Sequence, residues 1–249
     1  MQNQKRGQVT FFIILGIIML AVIMLTFYLR APSMQKEAIV TEQIAPIKIL
    51  LDNCVKETAV SALALLGQQG GFYEVKRGTD FGTAYFFFES KNIMPALSAI
   101  EVELEKYMDA ELKNCTTGLS TFSGFDFVES EPSASIKILD TSVSFAVDYP
   151  INIQKDGKTF LLKDFGTEIP IRLKLVYDVS AGIIKELVAD PQNICISCLI
   201  DIAEQNDLSI AITYYTDEIL IFTIEDKKST LGEFPYNFMF AGKFELEEE

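Results

Sequence analysis

Val9–Leu29 reads VTFFIILGIIMLAVIMLTFYL, 21 residues without a charge. As a helix rising about 1.5 Å per residue it reaches about 31 Å, close to the hydrocarbon thickness of a bilayer. Only Thr10, Thr26 and Tyr28 carry polar side-chain atoms, and they lie near the ends, with Tyr28 where an interfacial aromatic belongs. A core helix of a soluble domain would show a polar stripe. The stretch therefore predicts a transmembrane or filament-core helix. A cleaved secretory signal has a shorter apolar region, about 7–15 residues, and a small-x-small exit. Here the exit is Leu29-Arg30-Ala31-Pro32, and an uncleaved anchor is expected.

The flanks set the direction. Lys5 and Arg6 precede the span with no acid nearby, whereas Arg30 and Lys36 follow it with Glu37 and Glu42 close behind. The positive-inside rule places residues 1–8 in the cytoplasm as a short basic segment, and residues 31–249 outside the cell. The outer residues hold 18 basic and 35 acidic side chains. The expected location is the cell membrane or a surface filament. The expected partners are membrane lipid, copies of the same chain, or both, engaged through Val9–Leu29.

Lys5-Arg6-Gly7-Gln8-Val9-Thr10, running directly into the apolar stretch, resembles the class III signal peptide of archaeal type IV pilins and archaellins. The resemblance implies cleavage by a prepilin peptidase between Gly7 and Gln8. It also implies a helix that anchors the precursor and then packs the filament core. That family usually places Glu five residues into the mature chain, where this sequence has Phe12. The departure suits a minor pilin-like protein or a plain anchor. A later stretch, 54–71, CVKETAVSALALLGQQGG, resembles uncharacterised single-span archaeal surface proteins, a likeness that implies no activity.

Composition narrows the chemistry. The 249 residues predict one or two domains, and 49% are hydrophobic, enough for a core and too many for a disordered chain. There is no His. The chain thus has no Ser-His-Asp or Cys-His pair, no His general base and no His-ligated metal. The net charge of −14 argues against nucleic acid, whose binding rests on Lys and Arg. No catalytic residue, cofactor or metal site is expected.

Residues 30–45 read as a polar stalk or a continuation of the helix, 46–244 as one extracellular α+β domain, and 245–249 as an acidic tail. Pro46 suits a first helical turn. Apolar residues then recur at Ile47, Leu51, Cys54, Val55, Thr58, Ala62, Leu65 and Leu66 until Gly67, Gly70 and Gly71 stop the helix. A phosphate-loop reading of these glycines fails, because no Gly-Lys-Ser/Thr follows. β-like runs Phe72–Val75 and Ala84–Glu89 precede a second helix from about Asn92, with Pro95 in its first turn. Its acids Glu101, Glu103, Glu105, Asp109 and Glu111 read as a solvated face rather than a metal or acid–base cluster.

After Thr121 the pattern is mostly β. Strands are expected at Ser135–Leu139 and Val143–Tyr149. Ile151–Gln154 and Thr159–Leu162 flank Lys155-Asp156-Gly157-Lys158, whose Asp-Gly marks a hairpin. Ile169–Leu173 reads as a strand feeding a helix to about Val188. Pro191 opens a further helix to about Glu204. Leu208–Tyr214 pairs with Glu218–Ile224, and Tyr236–Phe240 closes the domain. Strands mixed irregularly with helices predict α+β with an antiparallel sheet.

Four cysteines on an outward-facing segment predict two disulfides among Cys54, Cys115, Cys195 and Cys198, with three connectivities open. An antiparallel helix pair would bring Cys54 to Cys115, while Cys195 and Cys198 would close a small ring. Cys195-Ile196-Ser197-Cys198 also has the spacing of a redox motif near a helix start, although no βαβ pattern surrounds it. A zinc site lacks its second CxxC pair. Asn114-Cys115-Thr116 is the only N-glycosylation sequon, making Asn114 a modification candidate.

Three function classes follow. The first is a non-enzymatic pilin-like structural subunit, anchored and assembled through its N-terminal helix. The second is a surface receptor or adhesin that does not polymerise, favoured by Phe12. The third, a membrane-tethered thiol oxidoreductase, has only the CxxC. Gly7-Gln8 at the span boundary and the helical sequence beyond it put the first ahead.

Overall fold

Helix α1, over 44–68, forms because small and aliphatic residues return every third or fourth position. Leu51, Val55, Ala59, Ala62, Leu63 and Leu66 are all buried. The structure, a computed structural model, describes residues 16, 17, 19, 20 and 44–245. The chain divides into two units, Met1–Ile49 and Leu50–Glu249. In the first, Gly16, Ile17, Met19 and Leu20 are helical. After α1, the second unit contains β1 (Tyr85–Phe88), β2 (Lys91–Asn92), α2 (Leu97–Glu111), a 3₁₀ segment (Leu112–Thr121), β3 (Asp126–Glu129), β4 (Ser133–Ile138), β5 (Val143–Lys155), β6 (Lys158–Ile169), α3 (Leu173–Ala189), α4 (Ile196–Asn206), β7 (Leu208–Tyr214), β8 (Ile219–Leu231) and β9 (Phe234–Lys243).

Two sheets result. One runs β2-β1-β9-β8-β7. In the other, the long strand β5 pairs with β6 along one edge and with β3 and β4 in succession along the opposite edge. The β5–β6 hairpin turns on Asp156-Gly157, both at positive φ (50° and 72°), the conformation for which Asp-Gly is suited. The core of the first sheet is aromatic. Phe86 and Phe222 each stack on Phe240, at 4.8 and 5.0 Å between ring centres. Gly67 brings α1 close to that sheet, since a Cβ there would lie 2.5 Å from the Asn237 carbonyl oxygen. Tyr177 on α3 donates its hydroxyl to the Pro95 carbonyl at 3.0 Å, tying α3 to the approach to α2.

The expected architecture, an N-terminal transmembrane or filament-core helix followed by an antiparallel-sheet domain, is corrected by these findings. Apart from its four described residues, Val9–Leu29 lies outside the described part of the chain. Among the described residues no helix is long and apolar enough to cross a membrane. Helix α1 carries Lys48, Asp52, Lys56 and Glu57, charges that hydrocarbon would not accept. The first sheet is mixed rather than antiparallel, because β1 and β9 run parallel, with Tyr85 opposite Ala241 and Phe87 opposite Gly242. A parallel pair needs a long crossover, and here most of the domain supplies it.

Smaller differences have local causes. Phe72–Val75 is irregular, and Tyr73 donates its N–H to Glu103 at 3.0 Å instead of to a ladder. Asn92 belongs to β2 and accepts the Met94 N–H at 2.9 Å, so α2 starts only at Leu97. Pro170, unable to donate to a ladder, ends β6, and Leu173 opens α3 directly. Helix α4 begins at Ile196 rather than Pro191.

Candidate functional site

Cys54 lies on α1 and Cys115 on the 3₁₀ segment that continues α2. Their sulfurs are 2.03 Å apart and their Cα atoms 5.6 Å apart. Cys115 is buried. Thr58, one turn beyond Cys54, donates its hydroxyl to the Cys54 carbonyl at 2.9 Å and lies 3.8 Å from the Cys115 Sγ. The bond closes a sequence separation of 61. Loop-entropy arithmetic for a ring of that size gives about 4 kcal/mol of stabilisation.

Cys195 and Cys198 occupy the start of α4, bonded to each other with Cα atoms 5.3 Å apart. Both are exposed. Cys195 is the N-cap of the helix: its Sγ accepts the Cys198 backbone N–H at 3.3 Å, and the Ser197 hydroxyl lies 3.6 Å away. The Leu199 N–H reaches the Cys195 carbonyl at 3.2 Å. The same arithmetic gives a ring this small about 2 kcal/mol. Beside it is a pocket of about 190 Å³ lined by Ile183, Leu187, Ile194 and Leu199, with Glu186 and Asp190 in the same wall. The cysteines thus form two pairs, one linking distant elements and one local. Among the described residues, no three His, Cys, Asp or Glu side chains gather to hold a metal.

Asn114 is exposed on the 3₁₀ segment, next to the buried cystine. Its Nδ2 donates to Glu111 at 2.9 Å, and the Thr116 hydroxyl donates to the Lys113 carbonyl at 2.9 Å, so both sequon side chains are engaged locally. Gly7 and Gln8 lie outside the described residues.

The acids of α2 are not a simple solvated face. Glu101, Glu105 and Asp109 stand one turn apart and accept the backbone N–H groups of Ile138 (2.9 Å), Ile136 (3.2 Å) and Ala134 (2.7 Å). Four helix residues span about 6 Å and two strand residues about 6.7 Å, so the two periods match along an antiparallel approach. The carboxylates occupy the outer edge of β4, which would otherwise offer unpaired donors. Burial pushes the Asp109 carboxyl up, the charge of Glu105 adds to this, and the Ala134 N–H opposes it. Glu103 behaves differently. Burial would raise it, but Lys106 at 2.5 Å and the Tyr73 N–H outweigh that and hold it below the usual carboxylate range.

One buried charge cluster escapes the sequence reading. Asp226 is fully buried. It accepts from Arg172 Nε at 2.9 Å and from Arg172 Nη2, from the Ser229 hydroxyl at 2.5 Å and from the Lys228 N–H at 3.0 Å. Arg172 also reaches the carbonyls of Asn206 (3.2 Å) and Asp207 (3.4 Å), closing the C-terminal end of α4. Burial would push Asp226 up, yet these bonds prevail and hold it below its ordinary value. The available signal was a single Arg in the apolar run Ile169-Pro170-Ile171-Arg172-Leu173. These bonds tie the approach to α3, the end of α4 and strand β8 together, which is the chemistry of a structural knot.

No family model, no curated protein and no solved structure is significantly similar to this chain.

Proposed function

We propose that this chain is a pilin-like structural protein of the cell surface. Its apolar segment Val9–Leu29 partitions into lipid or packs against copies of itself, and residues 31–249 face outside. The observation that carries this reading is the uncharged segment itself, in which Ile17, Met19 and Leu20 are 63, 68 and 61% exposed. An uncharged apolar run of 21 residues needs lipid or protein cover. The Cys54–Cys115 pair supports the outward placement, because disulfides persist in oxidising compartments.

Protease added to intact cells should digest residues 31–249 and leave a small membrane-associated fragment. Protection until the cells are lysed would reverse the orientation. Labelled surface filaments containing the chain would support the assembling form. A surface receptor or adhesin is the second reading, favoured by Phe12 where pilins usually carry Glu. It predicts the same digestion with no filament.

A further inference from the structure

The Cys195–Cys198 bond joins positions that the backbone already holds. Within the same turn, the Cys198 N–H meets the Cys195 Sγ and the Leu199 N–H meets the Cys195 carbonyl. The bond links no second element, and solvent reaches both residues. A cystine with so little structural work and so much access is free to react.

Its setting favours exchange. A Cys195 thiolate would sit at the N-cap of an 11-residue helix, at the positive end of the helix dipole. The Cys198 N–H already points at that sulfur, and the Ser197 hydroxyl is close. The neighbouring pocket offers an aliphatic wall from Ile183, Leu187, Ile194 and Leu199, and two acids, Glu186 and Asp190. Such a wall suits an apolar segment carrying positive charge and repels an acidic one.

We propose that Cys195–Cys198 is a thiol–disulfide exchange site for a dithiol on an apolar, basic segment of a second polypeptide, which the pocket seats. A thiolate of the partner attacks the Cys195 Sγ. The S–S bond breaks, and its electron pair leaves on the Cys198 Sγ, which takes a proton. The partner's second thiolate then attacks the partner sulfur of the mixed disulfide and releases Cys195 as a thiolate, which takes up a proton from solvent. Two electrons pass to the Cys195–Cys198 pair, which ends as two thiols, and the partner dithiol ends as a disulfide. This activity goes beyond the structural role proposed above and is independent of Val9–Leu29.

The test uses the full-length oxidised chain in detergent micelles. One probe is a reduced synthetic peptide with two cysteines flanked by Leu and Lys. The other has Asp in place of the Leu and Lys. Alkylation and peptide mapping report which cysteines are freed. Cys195 and Cys198 should be freed while Cys54 and Cys115 stay bonded, and the Leu/Lys peptide should react about tenfold faster than its acidic counterpart. The Cys198→Ala chain should trap a mixed disulfide between Cys195 and the oxidised Leu/Lys peptide. Retention of Cys195–Cys198, parallel loss of both cystines, or equal rates with the two peptides overturns the proposal.

Discussion

Cys54–Cys115 ties α1 to the 3₁₀ segment across 61 positions and keeps Cys115 buried, whereas Cys195–Cys198 closes inside the first turn of α4 and leaves both residues exposed. The bond is chemically the same. Loop length and burial decide whether it acts as a staple or remains a reactive group. The surroundings repeat the contrast. Near the first cystine, α1 buries a continuous stripe and α2 closes the edge of β4. Near the second, α4 buries only Ala203 and leaves Ile196 and Ile200 more than half exposed. Its C-terminal end is fastened by Arg172, while the small ring at its N-terminal end closes within the helix's own first turn. Low local stability of this kind is where opening and exchange concentrate.

The largest effect is expected where the fastened end of α4 is released. Asp226→Ala leaves Arg172 without its carboxylate partner and should cost roughly 3–5 kcal/mol, read by urea unfolding. Because the folded value of Asp226 lies below its ordinary 3.8, its contribution is present above that pH and is lost as pH falls through the depressed value. Stability of the wild-type chain and the variant should therefore converge in strong acid. A variant that unfolds like wild type at neutral pH would mean that α4 is not held through Arg172.

Next comes the buried cystine. Cys54→Ser with Cys115→Ser should lower stability by about 4 kcal/mol, the loop-entropy value for so long a ring. A loss below about 1 kcal/mol would mean that packing of α1 alone fixes the 3₁₀ segment, and the contrast between the two cystines would shrink accordingly.

These contrasts were only partly legible in the sequence. Helix α1, the Asp156-Gly157 hairpin and the β7–β8 pair are local patterns, with periods of 3.6 or 2 and a turn residue between, and they stand in the structure close to where the pattern puts them. The β1–β9 parallel pair was invisible, because nothing near Tyr85 specifies Ala241 as its neighbour. The role of Glu101, Glu105 and Asp109 was hidden for the same reason. Their spacing gives a helix face, but only the approach of β4 turns that face into a row of acceptors. In the sequence Asp226 is one acid of the charged run Glu225–Lys228, and only the fold sets Arg172 against it.

A smaller effect belongs to that row of acids. The folded pKa of Asp109 is raised, so its contribution favours the fold below the unfolded value and is lost as pH rises through the folded one. Asp109→Asn keeps an oxygen for the Ala134 N–H and removes the charge beside Glu105. The variant should gain up to about 1 kcal/mol over wild type at pH 7 and none at pH 3. A gain that is equal at both pH values would place its cause outside the ionisation of Asp109.

The exposed cystine is expected to matter least to stability. A ring this small stabilises by about 2 kcal/mol in the loop-entropy picture, and serine is among the preferred N-caps, contributing about 1 kcal/mol over a residue that cannot cap. In Cys195→Ser with Cys198→Ser, the hydroxyl at position 195 can accept the same backbone N–H that the sulfur accepts now. The cap is thereby kept, so the net loss should not exceed the ring's own value of about 2 kcal/mol, measured by the same urea titration as the Cys54/Cys115 variant. Hydrogen exchange should quicken at Leu199 and Ile200, near the released turn, and stay unchanged at Val55 and Ala59 on α1. A loss matching that of the buried cystine, or exchange that quickens on α1 as well, would show that the start of α4 is a staple for the whole domain. The asymmetry between the two cystines would then lie in their exposure alone, and the freedom to open that thiol exchange requires would be gone.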